Sequence, residues 1–359
     1  MIDLDLFEEI LSKESTSGTE RALAEWIELH FPDKALKTGA KHPQCCRYEV
    51  GDGTLNLLFS WGRPKVVLCT HMDTVPPYIP PVFARIEAGA LLPDGKRADK
   101  DDVIVRGRGS CDAKGQIISM WTACTEMSRD MDGFGLLLLS GEETGSKGAI
   151  AYDRDCPGAD YIIVGEPTDN KMVEASKGTK AFDIRIHGRP CHSGYPELGK
   201  SAVDIFLNLM SQINSAELPD DPVLGSTTWN VGRLVSDNPQ NVLSPLLTCR
   251  IYFRTTFASD NKVMSLMSSL DSDEVEIKAL GGDTPMHYKV FDGYNPVTVA
   301  FGSDAPRLSK FPDRSLCGPG SIFVAHTDRE YVLVSELEAA VSQYKDMIMQ
   351  ALTADSRKI

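Results

Sequence analysis

At several separate places in this chain a histidine or a carboxylate directly follows a strand-like apolar run. The run at residues 65–70 leads into His71-Met72-Asp73, that at 135–140 into Gly141-Glu142-Glu143, and that at 161–164 into Gly165-Glu166. Asp112 follows the apolar residues 103–105 and a glycine-containing turn, and it opens a helical pattern. Open α/β sheets bind ligands outside the carboxyl ends of their strands. Independent strands would therefore deliver these side chains to one edge of one sheet. Imidazole nitrogens and carboxylate oxygens are ligands of divalent metals. The pattern points to a metal-centred hydrolytic site with two metals.

Each motif has its own logic. His71 and Asp73 lie two apart, which on a strand puts both on one face. A metal-bound histidine usually donates its other ring N–H to an acceptor, often a carboxylate, so Asp73 is expected to orient His71. Asp112 stands where an N-capping aspartate would stand, and a carboxylate bridging two cations explains the placement equally well. Glu142 and Glu143 are adjacent acids after a leucine run, and they repel each other unless a cation or a proton intervenes. Their side chains diverge, so one can bind metal while the other faces substrate. Pro167 holds Glu166 in an extended conformation, and His326 lies far downstream, after the glycine- and proline-bearing segment 318–325. Cys111, beside Asp112, reads as a small packing residue, with a catalytic thiol as the competing reading; Cys191 is the other thiol considered.

The elements that must hold these residues follow from periodicity. Residues 3–30 are helical, with stripes at Leu4, Phe7, Ile10 and Leu11 and at Leu23, Trp26, Ile27 and His30, interrupted at Ser15–Ser17. Strands are expected near 47–50, 55–60 and 65–70, and a helix over 113–128 with Ile117, Trp121, Cys124 and Met127 on one face. Strand–helix alternation up to Glu166 is the pattern of a mixed or parallel sheet covered on both sides. The pattern changes near Ser176. Residues 180–187 alternate with period two, helices are expected over 201–213 and 262–270, and strands over 227–234, 247–255 and 275–279. These parts make an α+β assembly. The α/β pattern returns at 297–301, and 331–349 reads as a terminal helix. The expectation is a catalytic domain of residues 1–175 and 290–359 with an inserted domain of residues 176–289.

A chain of 359 residues exceeds one typical core and suits two domains. The net charge of −14 argues against nucleic acid or an anionic membrane as partner. No apolar run approaches the roughly 20 residues that span a bilayer, and the start of the chain does not read as a signal peptide. The nine cysteines are an odd number without a CxxC pair. Reduced thiols and a cytoplasmic location are therefore expected.

Taken together and in order from His71 to His326, the motifs resemble those of the zinc aminoacylase/carboxypeptidase family. That family includes acetylornithine deacetylase, succinyl-diaminopimelate desuccinylase and several dipeptidases. The resemblance covers nearly the whole chain. It implies a zinc exopeptidase-like α/β catalytic domain with a mixed, mostly parallel sheet, an inserted α+β sandwich domain that makes a homodimer, and two zinc ions, with cobalt or manganese as substitutes. It implies His71 and Glu166 on one ion, Glu143 and His326 on the other, and Asp112 bridging. Asp73 would orient His71, and Glu142 would be the general base. Two Zn²⁺ with three carboxylates and one hydroxide would be neutral, which eases partial burial. His192, in the segment 188–196, matches the histidine that in relatives reaches the other subunit's active site and stabilises the oxyanion. Asn241 and Arg254 resemble binders of the substrate carboxylate, although Tyr252 stands where relatives commonly carry an acid. Gly302-Ser303-Asp304 resembles a substrate-side loop. The segment 318–331 looks most like acetylornithine deacetylases. The expected reaction is therefore removal of an acetyl or succinyl group from N-acyl-ornithine or N-acyl-citrulline in arginine biosynthesis. A succinyl-diaminopimelate desuccinylase and a metallo-di- or tripeptidase are the alternatives.

Overall fold

The computed structural model describes residues 1–354; residues 355–359, the end of the expected catalytic segment, lie outside them. The chain divides into two compact units. One holds Met1–Glu174, Tyr288–Val297 and the chain from Ser303 onward; the other holds Ala175–His287 and Thr298–Gly302.

The first unit is built on a six-stranded sheet. Its spatial order is Gln44–Glu49, Leu55–Trp61, Phe134–Leu139, Val66–His71, Tyr161–Val164 and Asp313–Leu316. The first two junctions are antiparallel and the last three parallel. Every residue of Val66–His71 and Phe134–Leu139 is buried. That is why these strands read as unbroken apolar runs rather than alternating ones. Parallel neighbours need crossover connections. Helices Lys114–Met127 and Lys147–Asp155 return the chain to the start of the next strand, so the carboxyl ends of the parallel strands line up at one edge.

Aromatic packing fixes the helices to this sheet. Trp121 lies 4.6 Å from Phe31 and 5.4 Å from Phe59 between ring centroids, and Trp61 lies 5.4 Å from Phe134. Thirteen of the fourteen residues of Lys114–Met127 are buried, because the helix also packs against Leu4–Leu11 and Val334–Thr353. The single stripe expected from sequence is thus a helix covered all round.

Other expectations need correction. The amino-terminal region is two helices, Leu4–Leu11 and Arg21–Lys37, as its interrupted stripes imply, but the second runs through Pro32 well past His30. The terminal helix begins at Val334, not at residue 331. Tyr331–Leu333 is instead a strand paired with Asp102–Arg106, which also pairs with Val82–Ile86. At 297–301, the strand Pro296–Val299 lies beside Met172–Ser176 in a small three-stranded ribbon and does not join the main sheet.

The second unit is a four-stranded antiparallel sheet in the order Thr228–Val235, Leu246–Thr255, Gly178–His187, Val275–Gly281. Helices Ala202–Ser215 and Asp260–Ser269 cover one face, where Phe182, Ile184, Ile186, Cys249, Ile251 and Phe253 form the core. Alternate residues, among them Asp183, Arg185, Arg250, Tyr252 and Arg254, remain partly or fully exposed. One apolar and one polar face is the physical origin of the period-two pattern.

Candidate metal centre

His71 is the last residue of its strand, Glu142 and Glu143 follow Phe134–Leu139 within four residues, and Glu166 lies two residues past Val164. The sheet brings them together with Asp112 and His326. Three overlapping groups have ligand atoms within 4.8 Å of one another: His71, Asp112 and Glu166; His71, Glu142 and Glu143; Asp112, Glu143 and His326. Asp112 joins two of them through different oxygens. Its Oδ1 lies 3.1 Å from His71 Nε2, and its Oδ2 lies 3.2 Å from His326 Nε2. His326 Nε2 also lies 2.7 Å from Glu143 Oε1. The helix that follows is capped at Ala113 without any side-chain hydrogen bond, so Asp112 faces the histidines and does not act as an N-cap.

Asp73 has a wider role than sequence suggested. His71 Nδ1 is closer to the Asp73 carbonyl, at 2.9 Å, than to its carboxylate, at 3.4 Å. The carboxylate accepts hydrogen bonds from the backbone N–H of Glu142 (3.0 Å) and Glu143 (3.2 Å) and from Ser17 Oγ (2.7 Å). Asp73 therefore fixes both the histidine and the two-glutamate loop.

The electrostatics are those of a crowded acidic site. Burial pushes the Glu142 carboxyl well up; His71 opposes this, while Asp304, Glu143 and Asp112 add to it. Burial likewise raises Glu166, and Glu142, Asp112 and Asp304 repel it further. Glu166 Oε1 is buried without a hydrogen-bond partner. Burial alone would raise Asp112, yet its contacts with His326 and His71 hold it well below the usual range. Hydrogen bonds to Asp112 and Glu143 push His326 up to about 10. An orphaned buried carboxylate oxygen, repelling acids and two histidines aimed at opposite oxygens of one carboxylate fit bound divalent cations, which would answer all three at once.

One thiol leaves the catalytic list. Cys111 is fully buried against Gly320, where a Cβ would come within 2.5 Å of Cys111 Cβ. Burial drives its thiol well up, which makes it unreactive. Cys191 is partly exposed, with Sγ 3.3 Å from the Tyr195 carbonyl. All nine cysteines are free.

Sequence reasoning passed over Glu330 as a functional residue. This buried carboxylate accepts hydrogen bonds from the backbone N–H of Cys111 and Asp112 and pairs with Arg108. Burial and the nearby Asp112 push it up to about 7, with Arg108 opposing. Its only signal in the sequence is its place four residues after His326. Of the loop at 302–304, Ser303 and Asp304 are buried in the first unit, whereas Gly302 falls in the second.

The remaining candidates belong to the second unit. His192 is exposed, and its Nδ1 accepts the Gly194 N–H at 3.1 Å. The strand-like bridge between His192 and Val242, and the Ser193 N–H to the Asn241 carbonyl at 2.9 Å, tie two separately identified segments together. Arg254 lies over the Tyr252 ring at 5.0 Å. A cation–π contact thus joins these two residues.

Residues 67–350 match the family model described as Peptidase family M20/M25/M40. The chain belongs to this peptidase family. It is 30% identical to a probable carboxypeptidase of Aspergillus clavatus, over 97% of this chain and 82% of that protein. It is 31% identical to a peptidase M20 domain-containing protein of Schizosaccharomyces pombe, over 97% and 84%. Its fold is similar to that of a tripeptidase from Staphylococcus aureus (TM-score 0.77, 18% identity, 98% and 99% of the two chains). It is also similar to that of an M20 family metallo-carboxypeptidase from Sulfolobus solfataricus (TM-score 0.69, 15% identity, 98% and 99%). Membership makes the chain a metal-dependent hydrolase of amide bonds. No helix among the described residues is long and apolar enough to cross a membrane.

Proposed function

We infer that the protein hydrolyses an amide whose nitrogen belongs to an amino acid with a free carboxylate. This class unites the C-terminal bond of a short peptide with the acyl bond of an N-acyl amino acid. The observation that carries it is Glu142, held beside the ligand atoms of His71 and Glu143 by the grip of Asp73 on its backbone. His71 and Glu166 would hold one zinc, Glu143 and His326 the other, and Asp112 both. Metal held there supplies Lewis acidity and an acidified water. Glu142 would take the proton from the attacking water and pass it to the leaving nitrogen. His192 donates to the developing oxyanion. Asn241 and Arg254 bind the substrate carboxylate, with Gly302 and Ser303 in a substrate-side loop.

Two lines support different members of this class. The segment 318–331 resembles acetylornithine deacetylases and favours N-acetyl- or N-succinyl-ornithine or -citrulline. The name of one relative, a probable carboxypeptidase, favours removal of a C-terminal residue from a peptide. The second unit would also join two copies of the chain, because the edge strand Thr228–Val235 leaves Leu234 and Val235 more than half exposed.

Amine release from N-acyl-ornithine, -citrulline and -diaminopimelate and from di- and tripeptides, with and without added zinc, tests this reading. Zinc-dependent turnover of at least one member is expected. Glu142→Ala is expected to lower kcat by roughly 10²–10⁴-fold with metal content unchanged. Turnover that survives complete chelation, or near-normal turnover by Glu142→Ala, would refute it.

A further inference from the structure

Asp112 sits on irregular backbone. Glycines 107 and 109 precede it at positive φ, and regular helix begins only at Lys114. Its carboxylate must nevertheless face two histidines at once. The peptide groups around it are held from two sides. Glu330 Oε1 accepts the N–H of Cys111 at 3.2 Å and of Asp112 at 3.1 Å. Gln116 Nε2 donates to the Cys111 carbonyl at 3.1 Å and to the Pro319 carbonyl at 2.8 Å. The other Glu330 oxygen, Oε2, accepts from an Arg108 guanidinium nitrogen at 2.5 Å, and that same nitrogen donates to the Thr327 carbonyl at 3.1 Å. A single ion pair, with both residues 2% exposed, thus links the backbone beneath Asp112 to the residue after His326.

A buried ion pair is a weak source of stability, and apolar residues of similar volume often replace one without loss. Its presence here needs another reason. A carboxylate can take two N–H groups on one oxygen and a guanidinium on the other, which no apolar side chain can do.

We propose that Glu330 and Arg108 are positioning residues that set the bridging orientation of Asp112 and hold the His326 loop in register with it. This rests on the metal reading above. The two ends of the centre depend on the pair unequally. The His71–Asp112–Glu166 end keeps two ligands fixed by sheet strands, whereas the Asp112–Glu143–His326 end depends on the link from Arg108 to Thr327. Loss of the clamp therefore weakens the second end selectively.

The test is competition of the full-length chain with a chromophoric chelator for Zn²⁺, with circular dichroism to establish folding. Wild type is compared with Glu330→Gln and with the double variant Arg108→Met/Glu330→Leu, which removes both charges of the pair and carries the decision if the single variant does not fold. Wild type is expected to take two equivalents. Both variants are expected to keep one tight equivalent and to bind the second about 10–100-fold more weakly, the usual range for loss of a group that orients a ligand. Fewer than two equivalents in wild type would overturn the metal reading and this inference with it. Two tight equivalents in the folded double variant would overturn the clamp alone.

Discussion

At one end of the Asp112 carboxylate, His71 and Glu166 are buried and stand at or just beyond the ends of adjacent parallel strands. At the other end, His326 is half exposed, has a positive φ, and comes from a loop. The same carboxylate therefore faces a rigid, dry environment on one side and a wet, loop-borne one on the other. A ligand set fixed by sheet strands costs little to organise when the metal arrives, and burial slows its loss. A loop-borne set admits solvent and substrate but must be held by contacts such as those of Arg108. Two metals of unequal affinity are the expected outcome, with the weaker one on the accessible side.

The comparison can be broken most severely at the residue the two ends share. Asp112→Asn is expected to lower bound zinc from two equivalents to below one and to abolish turnover, as read by emission spectroscopy on dialysed protein. Retention of both ions would remove the bridge. Graded chelation of wild type should release zinc in two steps. His326→Ala should eliminate the faster step and leave the slower one, whereas a single concerted release would contradict the asymmetry.

A subtler contrast concerns charge. In the metal-free chain the folded state holds the Glu166 carboxyl above its ordinary pKa, mainly through burial and then through Glu142, Asp112 and Asp304. The folded state then binds this proton more tightly than the unfolded state does. The Glu166 contribution to stability is present below the unfolded value of about 4.3 and is lost as pH rises above it. Glu166→Gln should therefore raise the melting temperature of metal-free protein at pH 7, with the advantage shrinking toward pH 4.3, and should lower the melting temperature of zinc-loaded protein. A lower melting temperature for the metal-free variant at pH 7 would contradict this. The smallest expected effect lies in the second unit. Arg254→Ala should raise KM about tenfold, or roughly 1.4 kcal/mol of binding, and leave zinc content unchanged.

The sequence made the sheet and the strand-end residues legible for one reason. Buried parallel strands are apolar on both faces, so each ends abruptly where a polar residue such as His71 or Glu142 begins. The second unit was legible through the opposite pattern, since its uncovered face alternates Arg250, Tyr252 and Arg254 with Cys249, Ile251 and Phe253. Tyr331–Leu333 was hidden because three residues before a long amphipathic helix read as its first turn, and only pairing with Asp102–Arg106 makes them a strand. The near-complete burial of Lys114–Met127 comes from Leu4–Leu11 and from a terminal helix more than two hundred residues away, which periodicity cannot show. Glu330 is the clearest case. A glutamate among Asp328, Arg329 and Tyr331 reads as solvated, and its partners are backbone N–H groups and a guanidinium more than two hundred positions earlier in the chain.

The most direct test of a bridged, two-metal centre is anomalous scattering at the zinc edge from crystals of the zinc-loaded protein. Two peaks about 3.5–4 Å apart are expected on either side of the Asp112 carboxylate, one beside His71 and Glu166 and the other beside Glu143 and His326, with lower occupancy at the second after brief chelation. A single peak, or peaks that do not share Asp112, would contradict it.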